Sequence, residues 1–149
     1  MKILISCDHR GTTLRDKIVD WCVSKGHEPV NMGPTDSSSV DYPAYAIPLA
    51  ERVVASSGAE IGVLICGWGN GMAIAANKVK GARAALCMDR VQAEYARRHN
   101  DANILVLSAE ATGFGMIEEI LTAFLAEKFE GGRHQRRLDF IASYEKKCK

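Results

Sequence analysis

The run Ile61-Gly62-Val63-Leu64-Ile65-Cys66 carries no polar side chain. A strand with no polar face has nothing to give to water, so it belongs in the middle of a parallel sheet covered on both sides. Gly67-Trp68-Gly69-Asn70-Gly71 follows at once, and Met72–Lys78 then reads as a short helix. Strand, tight loop and helix make the repeating unit of an α/β fold.

The rest of the chain repeats that alternation. Strands are expected at Lys2–Cys7, Glu28–Met32, Ala82–Met88 and Asn103–Ser108. Helices are expected at Gly11–Lys25, from Asp41-Tyr42-Pro43 to about Ser57, and at Arg90–His99, Thr112–Lys128 and Gln135–Lys147. Leu14, Ile18, Trp21 and Cys22 fall on one face of the first helix, and Gly26 closes it. Connections are short and no linker or repeat interrupts them, so residues 1–149 read as one α/β domain with a parallel sheet.

Charge narrows the partners. The formal net charge is +1, which gives no whole-protein attraction to nucleic acid or to a membrane surface. The balance hides an asymmetry: residues 133–149 carry six basic and two acidic side chains, and the other 132 residues are net acidic. No apolar run reaches the roughly 18 residues of a membrane span. The N-terminus meets Asp8 and His9 too early for a secretory signal. Five cysteines, an odd number without zinc-like spacing, suit free thiols in a cytoplasmic protein. Cys7, Cys22 and Cys87 read as small buried hydrophobes, and Cys148 as incidental.

Ligands of such sheets sit beyond the carboxyl ends of the strands. That edge is expected to collect Asp8-His9, Cys66 with its loop, Asp89-Arg90 and the Ser108 end of the last strand. Glycines at 67, 69 and 71 allow close backbone approach, and their N–H groups can face an anion or a developing oxyanion. The same loop also reads as a plain strand-to-helix turn. A dinucleotide fingerprint would need glycine where Met72 stands. Cys66 borders N–H groups that favour a thiolate, although a strand-ending cysteine is more often packing. Asp8-His9 reads either as a polar turn or as a carboxylate orienting an imidazole. His99-Asn100 reads as a helix end capped by Asn100. Arg133 and Arg137, four apart on one helical face, read as a solvated basic face or as a phosphate clamp.

Taken together, CDHRG, VDYP at 40–43, LICGWGNGMAIAANK, GARAALC, RxHNDANIL and EGGRHQRR stand in the order and spacing of the type B ribose-5-phosphate isomerases. The chain resembles that family and the related galactose-6-phosphate isomerase subunits over nearly its whole length. The resemblance implies a Rossmann-like, three-layer αβα domain with a five-stranded parallel sheet and a C-terminal helix. It implies an aldose–ketose isomerase of a phosphorylated sugar, ribose 5-phosphate first, with no metal and no cofactor. It implies homodimers, also paired into tetramers, whose active sites are shared between subunits.

Position by position, the resemblance gives Cys66 as the base that moves a proton between C1 and C2. Gly67, Gly69, Asn70 and Gly71 resemble the backbone cradle of the enediolate. His99, with Asp8 nearby, resembles the ring-opening group, and Asn100 a ligand of a substrate hydroxyl. His9, Arg133 and Arg137 resemble the phosphate-binding set. Trp68, counted with the substrate-binding residues, departs from the family's usual Thr or Ser. It offers an N–H donor but no hydroxyl. It either points away from the site or reshapes the pocket for another tetrose, pentose or hexose phosphate. A non-catalytic phosphosugar-binding module is the alternative of a different class.

Overall fold

Alternation along the strands decides the layers. The computed structural model describes residues 1–147, and Cys148 and Lys149 lie outside the described residues. The elements are β1 (Lys2–Cys7), α1 (Thr12–Ser24), β2 (Glu28–Asn31), α2 (Pro43–Ala55), β3 (Glu60–Cys66), α3 (Asn70–Ala76), β4 (Ala84–Leu86), α4 (Arg90–Asn100), β5 (Ile104–Ser108), α5 (Phe114–Ala126) and α6 (Arg133–Glu145). The five strands pair in parallel in the order β2-β1-β3-β5-β4. β3, apolar from Ile61 to Cys66, lies in the centre and is buried at every position.

Ile3, Ile5, Cys7, Val63, Ile65, Leu105 and Leu107 face one side, where α1, α4 and α5 cover them with Ile18, Ala93, Ile117, Leu121 and Phe124. Leu4, Leu64, Cys66, Ile104 and Val106 face the other, under Leu49 and Val53 of α2 and Met72 and Ala76 of α3. Each fully buried aliphatic or aromatic side chain contributes about 1.5–3 kcal/mol relative to exposure. The expected three-layer αβα architecture is therefore present. α6 adds little to this core, and Phe140, Ile141 and Tyr144 on it are exposed.

Boundaries shift where backbone conformation overrides the apolar pattern. α3 begins at Asn70 rather than Met72, because Gly69 takes φ +86 and turns the chain into the helix there. α6 begins at Arg133 rather than Gln135, launched by Gly131 and Gly132, both with positive φ. The left-handed cap of α4 is Asp101, at φ 44, and not Asn100 as expected; Asn100 is the last helical residue. β4, at the sheet edge, shortens to Ala84–Leu86, with Ala82 and Arg83 before it and Cys87 and Met88 after it outside the strand.

Parallel strands send all their carboxyl ends to one edge, and each returning helix ends at the other. Asp8 N–H bonds the Ile65 carbonyl, so the ends of β1 and β3 are adjacent. α4 returns to the opposite edge, where Gly62 N–H bonds the Asn103 carbonyl. The four residue steps from Gly62 to Cys66 put roughly 13 Å of strand between those edges.

Candidate active site

At the carboxyl edge, β3 ends in Cys66, which is 7 % exposed. Gly69 N–H donates to Cys66 Sγ at 3.0 Å. That bond closes the loop around the sulfur and offers a donor to negative charge on it. The Gly67 carbonyl accepts from Ser108 Oγ at 2.7 Å and from Glu110 N–H at 3.0 Å. In a trans peptide the N–H points opposite to the C=O. Trp68 N–H therefore faces away from β5, toward the open side of the loop.

Neighbouring segments of the same chain complete this half of the site. Asp8 Oδ1 accepts from Arg10 N–H at 2.9 Å. The Arg10 guanidinium lies over Gly67 and pairs with Glu110 at 2.9 Å. Val40 N–H donates to His9 Nδ1 at 3.3 Å, which makes the neutral ring the Nε2–H tautomer with its donor free for a ligand. The loop bearing Val40 is tied down by Arg15, whose buried guanidinium donates to the Pro34 carbonyl. The ring of Tyr42 lies so close to Gly71 that a methyl there would stand 2.9 Å from its Cζ. Trp68 beside this cradle is 59 % exposed. Burial disfavours the thiolate at the other described cysteines, pushing Cys7 and Cys22 up to about 11 and Cys87 up to about 12.

The second group lies at the opposite edge. His99 and Asn100 end α4. The ring of His99 stacks on His134 at 4.0 Å between centroids and 11° between planes, with Tyr95 tilted on it at 4.6 Å. Glu130 Oε2 stands 3.6 Å from His99 Nε2 and 3.7 Å from His134 Nε2. Glu130 Oε1 is taken by Arg98 at 2.6 Å. Burial, together with the charges of His99, Arg133 and Arg137, holds the His134 imidazolium below the ordinary range, outweighing Glu130. Arg133 and Arg137 thus share this corner with His99.

One chain therefore brings together Asp8, His9, Cys66, Gly67, Trp68, Gly69, Asn70 and Gly71, and separately His99, Asn100, Arg133 and Arg137. It does not bring Asp8 near His99; the carboxylate beside His99 is Glu130. The expected phosphate set is divided as well, His9 at one edge and the two arginines at the other. Sequence reasoning missed Tyr42, Glu130 and His134 as neighbours of these groups. Their signals were VDYP, read only as a helix start, and EGGRHQRR, of which only Arg133 and Arg137 were assigned to the site.

A thiol held by a peptide N–H at the carboxyl edge of a doubly wound sheet is a feature of α/β enzymes that act on small molecules. The chain belongs to the ribose/galactose isomerase family, whose pattern matches residues 3–141. It is 40 % identical over 148 residues to ribose-5-phosphate isomerase B of Escherichia coli, covering 98 % of this chain and 97 % of that one. Among solved structures, the Clostridium thermocellum ribose-5-phosphate isomerase B superposes with a TM-score of 0.96 at 41 % identity, covering all of both chains. The Mycoplasma genitalium ribose-5-phosphate isomerase B, solved with bound ribulose 5-phosphate, superposes with a TM-score of 0.93 at 42 % identity, covering 97 % of this chain and 96 % of that one. No helix among the described residues is long and apolar enough to cross a membrane.

Proposed function

We propose that this protein interconverts ribose 5-phosphate and ribulose 5-phosphate through an enediolate, with Cys66 as the proton carrier. The observation that carries the reading is the Cys66 sulfur held by Gly69 N–H inside a fixed peptide loop. Cys66, as thiolate, takes the proton from C2 of the open-chain aldose, and the electron pair moves onto the C1 oxygen. Trp68 N–H and the neighbouring loop N–H groups face that growing charge and stabilise it. A proton then passes from the O2 hydroxyl to the O1 oxyanion, and the Cys66 thiol returns its proton to C1 as the O2 electron pair forms the C2 carbonyl, which leaves the ketose and regenerates the thiolate.

A second copy of the chain completes each site. His99 and Asn100 cannot reach Cys66 across the sheet of their own chain, whereas a neighbour can present them to it. On this reading His99 opens the furanose ring, Asp8 assists from the Cys66 side, and Asn100 binds a sugar hydroxyl. His9 Nε2–H and the forks of Arg133 and Arg137 then close on the phosphate from opposite subunits, holding the reacting carbons in place. Phe140, which is 79 % exposed on α6, and its neighbours Ile141 and Tyr144 are apolar surface that pairing would cover. Residues 1–149 act as one isomerase domain. The unpaired thiols among the described residues suit a reducing cytoplasm.

Trp68 favours one variation, a different sugar phosphate, because a bulky ring stands half free beside the cradle. A panel of tetrose, pentose and hexose phosphates compared by kcat/KM tests the assignment. Ribose 5-phosphate should stand highest. A clear preference for another length of sugar removes ribose 5-phosphate as the substrate while keeping the chemistry.

A further inference from the structure

The cluster of His99, His134 and Glu130 holds more ligand chemistry than ring opening needs. We propose that these three side chains form a chelating site for a divalent ion of the zinc class, and that bound Zn²⁺ inhibits the enzyme reversibly by taking the lone pair of His99. The metal site rests on geometry alone. The inhibition rests in addition on the ring-opening role of His99 proposed above.

One ligand atom from each residue lies within 4.8 Å of the others. Both imidazole Nε2 atoms aim at one oxygen, Glu130 Oε2, from 3.6 and 3.7 Å. Those separations are too long for hydrogen bonds. They are close to the roughly 3.3 Å between ligand atoms about 2.0 Å from a tetrahedral zinc. The stacked rings present both nitrogens on the same side, so a small closing movement brings all three atoms onto one ion.

The surroundings supply what a ligand set requires. Arg98 occupies Glu130 Oε1 and leaves Oε2 for the ion, the outer partner that orients a ligating carboxylate. His134 is 4 % exposed, and its Nε2 lies 3.7 Å from Glu130 Oε2, so the ligand is held in place by its packing. Two imidazoles and a carboxylate suit Zn²⁺, Cu²⁺ and Ni²⁺ over Mg²⁺ or Ca²⁺. Three protein ligands leave a fourth position for water. Arg98, Arg133 and Arg137 oppose a divalent charge, which makes the site one for reversible capture rather than a permanent structural centre. Catalysis needs no ion here; the ion removes a catalytic group.

The test is a Co²⁺ titration of the full-length protein without substrate, followed by Zn²⁺ inhibition of ribose 5-phosphate consumption. Expected is a visible spectrum of nitrogen and oxygen ligation with no thiolate-to-cobalt charge transfer. His134→Gln and Glu130→Gln should each weaken the cobalt complex by at least about tenfold, the scale seen on losing even an outer partner of a metal ligand. Glu130 is exposed, so its variant keeps the test valid if His134→Gln fails to fold. A thiolate band, which would place the metal on Cys66, or unchanged affinity in Glu130→Gln overturns the site. Cobalt binding with full activity under saturating Zn²⁺ keeps the site and removes His99 from ring opening. An active enzyme that binds no Co²⁺ overturns the metal site and leaves the isomerase reading standing.

Discussion

Gly69 donates its backbone N–H to Cys66 Sγ at 3.0 Å from a left-handed backbone, φ +86. A side chain at Gly69 would strain that conformation by about 1–2 kcal/mol and push the donor off the sulfur. Gly69→Ala should lower kcat by about 100-fold, the scale of one lost catalytic donor, with a much smaller change in KM. Steady-state kinetics beside a circular dichroism spectrum checks this, and an unchanged kcat in a folded variant removes Gly69 from the thiol's support.

Ser108 acts one step further away. Its hydroxyl donates to the Gly67 carbonyl at 2.7 Å and accepts from Ala111 N–H at 3.0 Å. Ser108→Ala leaves the peptide that carries Trp68 N–H held by Glu110 N–H alone and leaves Ala111 N–H without its acceptor. The expected result is a stability loss of about 1–3 kcal/mol, the range for unsatisfied buried partners, together with a fall in kcat at nearly constant KM. A stability loss with wild-type kcat would make Ser108 structural only.

The division of the site between two sheet edges predicts complementation. Cys66→Ala and His99→Ala chains should each be nearly inactive alone. Co-expressed and mixed at random into dimers, they should recover about a quarter of wild-type activity, because half the dimers carry one intact site of two. No recovery in demonstrably mixed dimers would mean that one chain builds the site alone.

Arg137→Ala should raise KM by about tenfold or more, the worth of one charge-assisted contact to phosphate. Arg137→Lys should restore only part of it, since a lysine lacks the fork. An unchanged KM for Arg137→Ala would take the residue out of the phosphate site.

Away from the site, Glu60 receives Arg52 at 3.0 Å and Lys2 at 3.0 Å. The Arg52 and Lys2 hydrogen bonds pull its carboxyl from 4.5 down to about 2. A depressed carboxylate stabilises the fold above its ordinary range and loses that contribution as pH falls through the folded value. Wild type should therefore exceed Glu60→Gln in thermal stability near neutrality, with the gap shrinking below pH 4.5 and vanishing near pH 2. A gap that is independent of pH would contradict the ion-pair origin.

The layered fold was legible because residues 61–66 of β3 carry no polar side chain and the other strands alternate with amphipathic helices. The start of α3 was not, because it depends on the φ of Gly69 rather than on apolar spacing. The placement of Cys66 beside its glycine loop was legible because both lie together in the chain. The placement of His99 was only half so. Local sequence shows that it ends a helix, but which edge that helix reaches follows from sheet topology, and its carboxylate partner Glu130 comes from 31 positions further on. The role of Glu130 also depends on Arg98 turning one oxygen toward two imidazoles, an orientation that no spacing rule encodes.

The most direct test follows hydrogen exchange with solvent during isomerisation. Ribose 5-phosphate is incubated in D₂O with wild-type protein and with Cys66→Ala, and deuterium at C1 of ribulose 5-phosphate is read by NMR. Wild type should place deuterium at C1 as product forms, and folded Cys66→Ala should give neither product nor label. Product and label from Cys66→Ala at the wild-type rate would contradict the assignment of Cys66 as the proton carrier.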